Sequence, residues 1–199
     1  MHDTEKRLSI SIAAAGSRAT ITHTIVNRTC WPVRVAPWAI SIAPGRASAF
    51  IPQPRFRSHT EHFLPARALV QWPYTDLSDP RWTIGSRLIR LTPDPSRDTA
   101  QKIGVGNEAG WCAVHMDEDV FVKQFPWQER ASYPDYGCNN ELFTIGDYLE
   151  VETLGPLELL APGEGAAHTE HWSLFRAGPS PDCEADQIAL FESLVPRDG

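Results

Sequence analysis

The chain of 199 residues carries 25 Asp and Glu against 18 Lys and Arg, a formal net charge of −7, and 42% hydrophobic residues. That is enough chain for one sizeable core. An acidic sequence without a basic stripe excludes nucleic acid and anionic membrane as partners, because phosphate contact drives that affinity.

Residues 8–12 alternate apolar and polar, the period of a half-buried strand, and 19–26 do so with β-branched residues. Strands are expected again at 31–35, 39–42 and 47–51, separated by the Ala36-Pro37-Trp38 kink and the Pro44-Gly45 turn. Residues 52–65 are irregular and carry Arg55, Arg57, His59 and His62. Strands follow at 68–72, as one longer element at 82–91, and at 102–105. Residues 110–116 and 120–125 flank Asp117-Glu118-Asp119, which reads as a hairpin. A long loop at 126–140 precedes strands at 141–145, 148–154, 157–160 and 168–175. Only the tail reads as helix: Asp182 is its expected cap, Ile188, Phe191, Leu194 and Val195 recur at helical spacing, and Pro196 ends it.

Seventeen prolines spread along the chain argue against a helical bundle, since each interior proline removes a helix hydrogen bond. About ten strands and one short helix predict an all-β sandwich over residues 1–178 with a C-terminal helical tail at 179–199. No apolar run approaches the roughly 20 residues of a membrane span. The first six residues lack an apolar signal core, so the expected location is cytoplasmic, with export open only if an upstream signal was lost. Four cysteines, Cys30, Cys112, Cys138 and Cys183, show no CxxC spacing and read as buried free thiols, with one or two disulfides as the alternative if an upstream export signal was lost.

The serine elbow, the P-loop and HExxH are absent, and the glycines at 104–110 miss the dinucleotide spacing. Four clusters carry chemistry. Trp111 and His115 share a strand face, with Lys123 on the next strand, and together they suit a sugar: an aromatic ring for C–H faces and polar groups for hydroxyls. The loop Tyr133-Pro134-Asp135-Tyr136-Gly137-Cys138-Asn139-Asn140-Glu141 is dense in hydroxyl-recognising groups, and Glu141 opens a part-buried strand where burial would raise its pKa. Local turn chemistry accounts for the same Asn and Asp residues. In His168-Thr169-Glu170-His171-Trp172, His168 and Glu170 share one face and His171 takes the other. An amphipathic strand explains that pattern more simply than a metal site, which needs several convergent ligands. The Arg55, Arg57, His59 and His62 set reads either as a solvated loop or as a clamp for a carboxylate or phosphate on a sugar.

At these residues the chain resembles an uncharacterised bacterial family, DUF4380, grouped with the galactose mutarotase-like β-supersandwiches. The strings that carry the resemblance are Asn27 with Trp31-Pro32-Val33, Ala36-Pro37-Trp38-Ala39-Ile40, Ile51-Pro52-Gln53, Lys102-Ile103-Gly104, Tyr133-Pro134-Asp135 with Asn140-Glu141, and 149–164 through His168-Thr169-Glu170-His171-Trp172. They span about residues 18–176. Members of this kind begin with more β-structure, so the resemblance implies a supersandwich short of its leading strands, with exposed sheet edges through which a homo-oligomer could pair. It implies a carbohydrate ligand, no metal and no other cofactor. It also implies aldose 1-epimerase-like chemistry, in which a Glu takes the anomeric proton while a His protonates the ring oxygen. Glu141 is the expected base and His115 the expected acid. Trp111, Lys123, Asn140, Asp135 and His171 are expected to contact substrate, and so is Glu152, the reserve base. Three classes stay open: an epimerase, with lyase chemistry second; a non-catalytic sugar-binding module; and an inactive fragment.

Overall fold

The structure, a computed structural model, describes residues 3–195. Fifteen strands are present among them: β1 (Thr4–Ile12), β2 (Arg18–Asn27), β3 (Val33–Val35), β4 (Trp38–Pro44), β5 (Ser48–Pro52), β6 (Leu69–Gln71), β7 (Trp82–Ile84), β8 (Leu88–Leu91), β9 (Gln101–Val105), β10 (Trp111–Met116), β11 (Asp119–Gln124), β12 (Asn140–Ile145), β13 (Tyr148–Leu154), β14 (Glu158–Leu160) and β15 (Gly165–Arg176). A single turn, α1 (Pro134–Gly137), and one helix, α2 (Glu184–Leu194), complete the order. The expected all-β class with a short C-terminal helix holds. The strand number is higher than the sequence suggested, and the long element expected at 82–91 is two strands. Gly85 and its neighbours turn the chain so that β7 pairs back on β8, with Trp82 opposite Leu91.

The strands form an eight-stranded sheet, in order β1-β2-β15-β11-β10-β5-β8-β7, a five-stranded sheet, β4-β13-β12-β9-β6, and a small β14-β3 pair. Side chains alternate along each strand, so each sheet has two faces. Ile103, Val105, Leu142, Leu149 and Val151 of the five-stranded sheet meet Ala49, Ile51, Ile89, Leu91, Cys112 and Val114 of the larger one in the main core. The opposite face of the larger sheet packs Phe50, Trp111, Ala113, Val120 and Val122 against Ile188 and Phe191 of α2.

The helix is fastened at its start. The Glu184 carboxylate accepts hydrogen bonds from the backbone N–H groups of Arg87 and Leu88, each at 2.8 Å, and from the Ser86 hydroxyl at 2.9 Å. Gly85 makes room for that carboxylate, since a Cβ there would sit 1.9 Å from Glu184 Oε1. The N-cap is Cys183, not Asp182: its Sγ accepts the Asp186 N–H at 3.4 Å. Ile188 and Phe191 are buried as the periodicity predicts, while Pro196, the expected stop, lies outside the described residues. The cysteines are free; Cys112 and Cys138 are buried, but Cys30 and Cys183 are exposed.

Candidate functional site

The register of the five-stranded sheet brings charge together on its outer face. Glu141 on β12 lies directly opposite Glu152 on β13, and Gly104 of β9 lies on the other side of Glu141. Two carboxylates directly opposite one another repel. Lys102, two residues along β9 from Gly104, reaches diagonally between them. Its Nζ sits 2.8 Å from Glu141 Oε2 and donates to both Glu152 oxygens, at 2.9 and 2.8 Å. All three side chains are buried.

Two tryptophans enclose the lysine. Nζ lies 5.2 Å from the Trp38 ring centroid and 4.7 Å from that of Trp72, within cation–π range. Trp38 Nε1 donates to Glu152 Oε2 at 2.7 Å, so Glu152 is fixed by three donations while its neighbour is not. Trp38 itself is half exposed, beside Ile40 and Ile42 on the same edge strand. Trp72 comes close because Gly104 has no side chain: a Cβ there would meet Cys138 Sγ at 2.6 Å and the Trp72 ring at 3.2 Å.

The environments of the two carboxyls diverge. Burial drives the Glu141 carboxyl up to about 8, with Lys102 opposing the shift and Glu152 and Asp135 adding to it. Glu141 Oε1 has no hydrogen-bond partner. Lys102 is raised above the usual lysine range: burial works against its charge, but the bonds to Glu141 and Glu152 outweigh it. Burial therefore favours a proton on Glu141, beside a Glu152 side chain bound by Lys102 and Trp38.

The other expected site residues scatter. His115 does not meet Glu141. It lies on the helix-facing side of the larger sheet, where its Nε2 is 3.0 Å from the Gly178 carbonyl oxygen. Trp111 shares that side but packs on Phe191, ring centroids 6.3 Å apart, so α2 covers the face expected to take a sugar. Lys123 points the other way, into the space between the sheets, since it pairs with Cys112 rather than with Trp111. Asn140 shares β12 with Glu141 but faces inward, donating to the Glu152 carbonyl at 2.8 Å. Asp135 sits in α1, where φ is +48° at Asp135 and +60° at Tyr136, a left-handed turn that delivers the chain to Glu141. His171 faces outward on β15, its Nδ1 3.1 Å from the Thr20 hydroxyl.

Lys123 belongs to a second buried network. Its Nζ is 2.8 Å from Glu170 Oε1 and donates to the Val151 carbonyl at 3.1 Å. Thr153 donates its hydroxyl proton to Glu170 and lies 2.8 Å from His168 Nε2, so that nitrogen carries the proton. Trp172 Nε1 donates to Glu170 Oε2 at 3.0 Å. Burial opposes the Glu170 charge, but His23, Lys123 and Thr153 hold its carboxyl down to about 2. Burial pushes His168 down to about 4. Every oxygen and nitrogen of Glu170 and Lys123 has a partner, which marks a structural network, whereas Glu141 retains a free acceptor.

Solved structures give the frame for these faces. The chain superposes on a candidate aldose 1-epimerase of Escherichia coli K12 with a TM-score of 0.57 at 11% identity, covering 88% of this chain and 62% of that one. A galactose mutarotase-like protein of Lactobacillus casei gives 0.50 at 9% identity, covering 87% and 64%. The fold is that of the galactose mutarotase-like sandwiches. A TPR-domain containing protein of Parabacteroides distasonis matches at 0.52 and 13% identity, over 91% of this chain and 33% of that one. The chain thus spans less than two thirds of the length of each of these neighbours. No family model matches the sequence, and no curated protein matches it. Among the described residues no helix is long and apolar enough to cross a membrane. The mutarotase-like sandwich here therefore carries its candidate site on the outer face of the five-stranded sheet, around Lys102, Glu141 and Glu152.

Proposed function

We propose that this face binds a sugar and exchanges protons with it in the manner of an aldose 1-epimerase. The observation that carries the reading is the pair of directly opposed carboxyls bridged by one lysine, under two tryptophan rings. Trp38 and Trp72 offer apolar ring faces to sugar C–H groups. Protonated Glu141 gives its proton to the ring oxygen as Glu152 takes the anomeric hydroxyl proton; the ring opens, rotates and closes with both transfers reversed. The descriptions of the Escherichia coli and Lactobacillus neighbours support the same class of chemistry. The shared residue strings support DUF4380 as the family. A cytoplasmic location stays part of this reading.

One observation favours a second reading, a sugar-binding module without turnover. Among the described residues no histidine hydrogen-bonds or ion-pairs with Glu141, and both carboxyls are buried. Magnetisation-transfer NMR on glucose and galactose anomers, together with tryptophan fluorescence titration, separates the two. Anomer exchange faster than the buffer rate, lost in Glu141→Gln, supports the enzyme. A fluorescence change without exchange supports the module. No response by either method to a panel of hexoses and uronates would sink both.

A further inference from the structure

One cleft runs against the overall charge of the molecule. The segment between β5 and β6 folds beside the β9–β10 turn to enclose about 890 Å³. Arg55, Arg57, Arg67 and His62 line it, with Gly106 and Asn107. In a chain of net charge −7, three arginines within thirteen residues converge on one cavity.

These cations are poorly compensated. Among the described residues Arg55 has no ion-pair or hydrogen-bond partner. Arg57 meets the His62 ring, with Nη1 3.4 and 3.3 Å from its two nitrogens, and a ring nitrogen offers no negative charge. Arg67 donates to the Pro52 carbonyl at 3.0 Å and to Gln53, both neutral groups. Two carboxylates line the cleft with them: Glu61 accepts the Ser58 hydroxyl at 2.7 Å, and Glu108 supports the charge of Arg67, so the three arginines outnumber the acids by one. Guanidinium forks left in this state match the two oxygens of a carboxylate or phosphate.

A second observation points to a ligand with hydroxyls. Asn107 is 1% exposed. Its Nδ2 donates to the Trp111 carbonyl at 2.8 Å and to Asn140 Oδ1 at 3.1 Å, which fixes the amide orientation. Its Oδ1 then has no donor. A buried acceptor left unpaired is costly, and a hydroxyl would satisfy it.

The cleft and the carboxyl trio share one line of the fold. Lys102, Gly104 and Gly106 alternate along β9 and its exit, with Lys102 and Gly106 about 13 Å apart at strand rise; Cys138 and the Trp72 ring lie over Gly104 and the Trp127 ring over Gly106, so a ligand spanning both sites passes these rings. We propose that this cleft takes the anionic substituent, carboxylate or phosphate, of the same sugar whose ring reaches Glu141 and Glu152. Arg55 and Arg57 pair the anion and Asn107 Oδ1 accepts from a hydroxyl. Phe56 and Phe63, at 84% and 78% exposure, offer apolar rings on the same segment. The assignment rests on the sugar reading above.

The test titrates the full chain with glucose, glucuronate, glucose 6-phosphate and inorganic phosphate, following tryptophan fluorescence and melting temperature. The charged sugars are expected to bind about tenfold tighter than glucose at low salt, as charge-assisted bidentate pairing implies. The advantage should shrink with added salt and fall to within about twofold of glucose in Arg55→Ala/Arg57→Ala. Arg55→Lys/Arg57→Lys should keep part of it. Whether glucuronate or glucose 6-phosphate binds more tightly identifies the anion. Glucose binding as tightly as the charged sugars overturns the cleft and leaves the sugar reading standing. An advantage undiminished in a folded Arg55→Ala/Arg57→Ala protein also overturns it. A response to phosphate alone overturns the sugar part of the proposal together with the reading above, and silence to all four probes overturns everything.

Discussion

At the scale of single residues, the two buried clusters titrate in opposite senses. Glu141 has its folded carboxyl raised to about 8 from an ordinary value near 4.5. The folded state then binds more protons than the unfolded one between those values, so this group's stabilising contribution is complete below pH 4.5 and is lost as pH rises to 8. Glu141→Gln should flatten that decline, so that the variant outlasts the parent in melts above pH 8. A parallel decline in both proteins would show that another group is responsible. His168, held down to about 4, and Glu170, held down to about 2, work the other way. Stability falls as pH drops from 6.5 through 4, and falls further toward 2. Thr153→Val, which deletes the hydroxyl between them, should weaken this acid-side loss while lowering stability at neutral pH by about 1–3 kcal/mol, the cost of unpaired buried groups. Lys123→Met should cost more, about 3–5 kcal/mol in chemical denaturation, because it strands the Glu170 charge. Pairing it with Glu170→Leu should recover much of the loss, and failure to recover would argue that packing rather than charge dominates there. Chain chemistry announced part of this. Glu141 was visible as a carboxyl opening a part-buried strand with a raised pKa, where it was expected as the base and not as the proton donor proposed above. Lys102 carries a fainter signal, a lone lysine opening the short strand segment Lys102-Ile103-Gly104-Val105. Trp38 read only as a kink, because nothing local says that residues 38, 72, 102, 141 and 152 become neighbours.

At the scale of elements, alternation located nearly every strand, since a period of two is written in each segment by itself. Face parity was legible too: Trp111 and His115 do share a side, and His168 and Glu170 do share another. Which layer covers a given side was not legible, because that depends on pairings between distant strands. His115 went under the segment that leads to α2, at Gly178, and Lys123 into the space between the sheets for this reason. The turn inside 82–91 was missed because Gly85-Ser86 is a short interruption of an otherwise continuous strand pattern. Gly104 shows how one element serves the site. Gly104→Ala would press a methyl group on Cys138 Sγ and the Trp72 ring, so the Trp72 cover should shift and tryptophan emission change along with a fall in melting temperature. Unchanged emission would show that the sulfur moves instead. For α2, Phe191→Ala removes the ring packed on Phe50 at 4.7 Å and on Trp111, and should cost about 3–5 kcal/mol.

At the scale of the whole molecule, the larger sheet ends in β1, an edge strand with no proline or bulge and with Leu8, Ile10 and Ile12 exposed at 59%, 59% and 77%. Leu174 adds to the same side on β15. Edges of this kind template pairing with other chains. Ile10→Lys/Ile12→Lys should leave the melting temperature within about 2 °C, as surface changes do, and reduce concentration-dependent light scattering. A large fall in melting temperature would mean that the stripe is covered in solution.

The placement of β15 has a consequence in time. It inserts between β2 and β11, and its pairing joins residues as far apart as Arg18 and Ser173, 155 positions along the chain. The β1–β2 hairpin joins the rest of the larger sheet only through the segment Gly165–Arg176. Until that segment pairs, two of the eight strands of the larger sheet stand apart from it with an edge open. Closing so long a loop is slow, and slow closure beside an apolar edge is the setting in which nascent chains recruit holding chaperones.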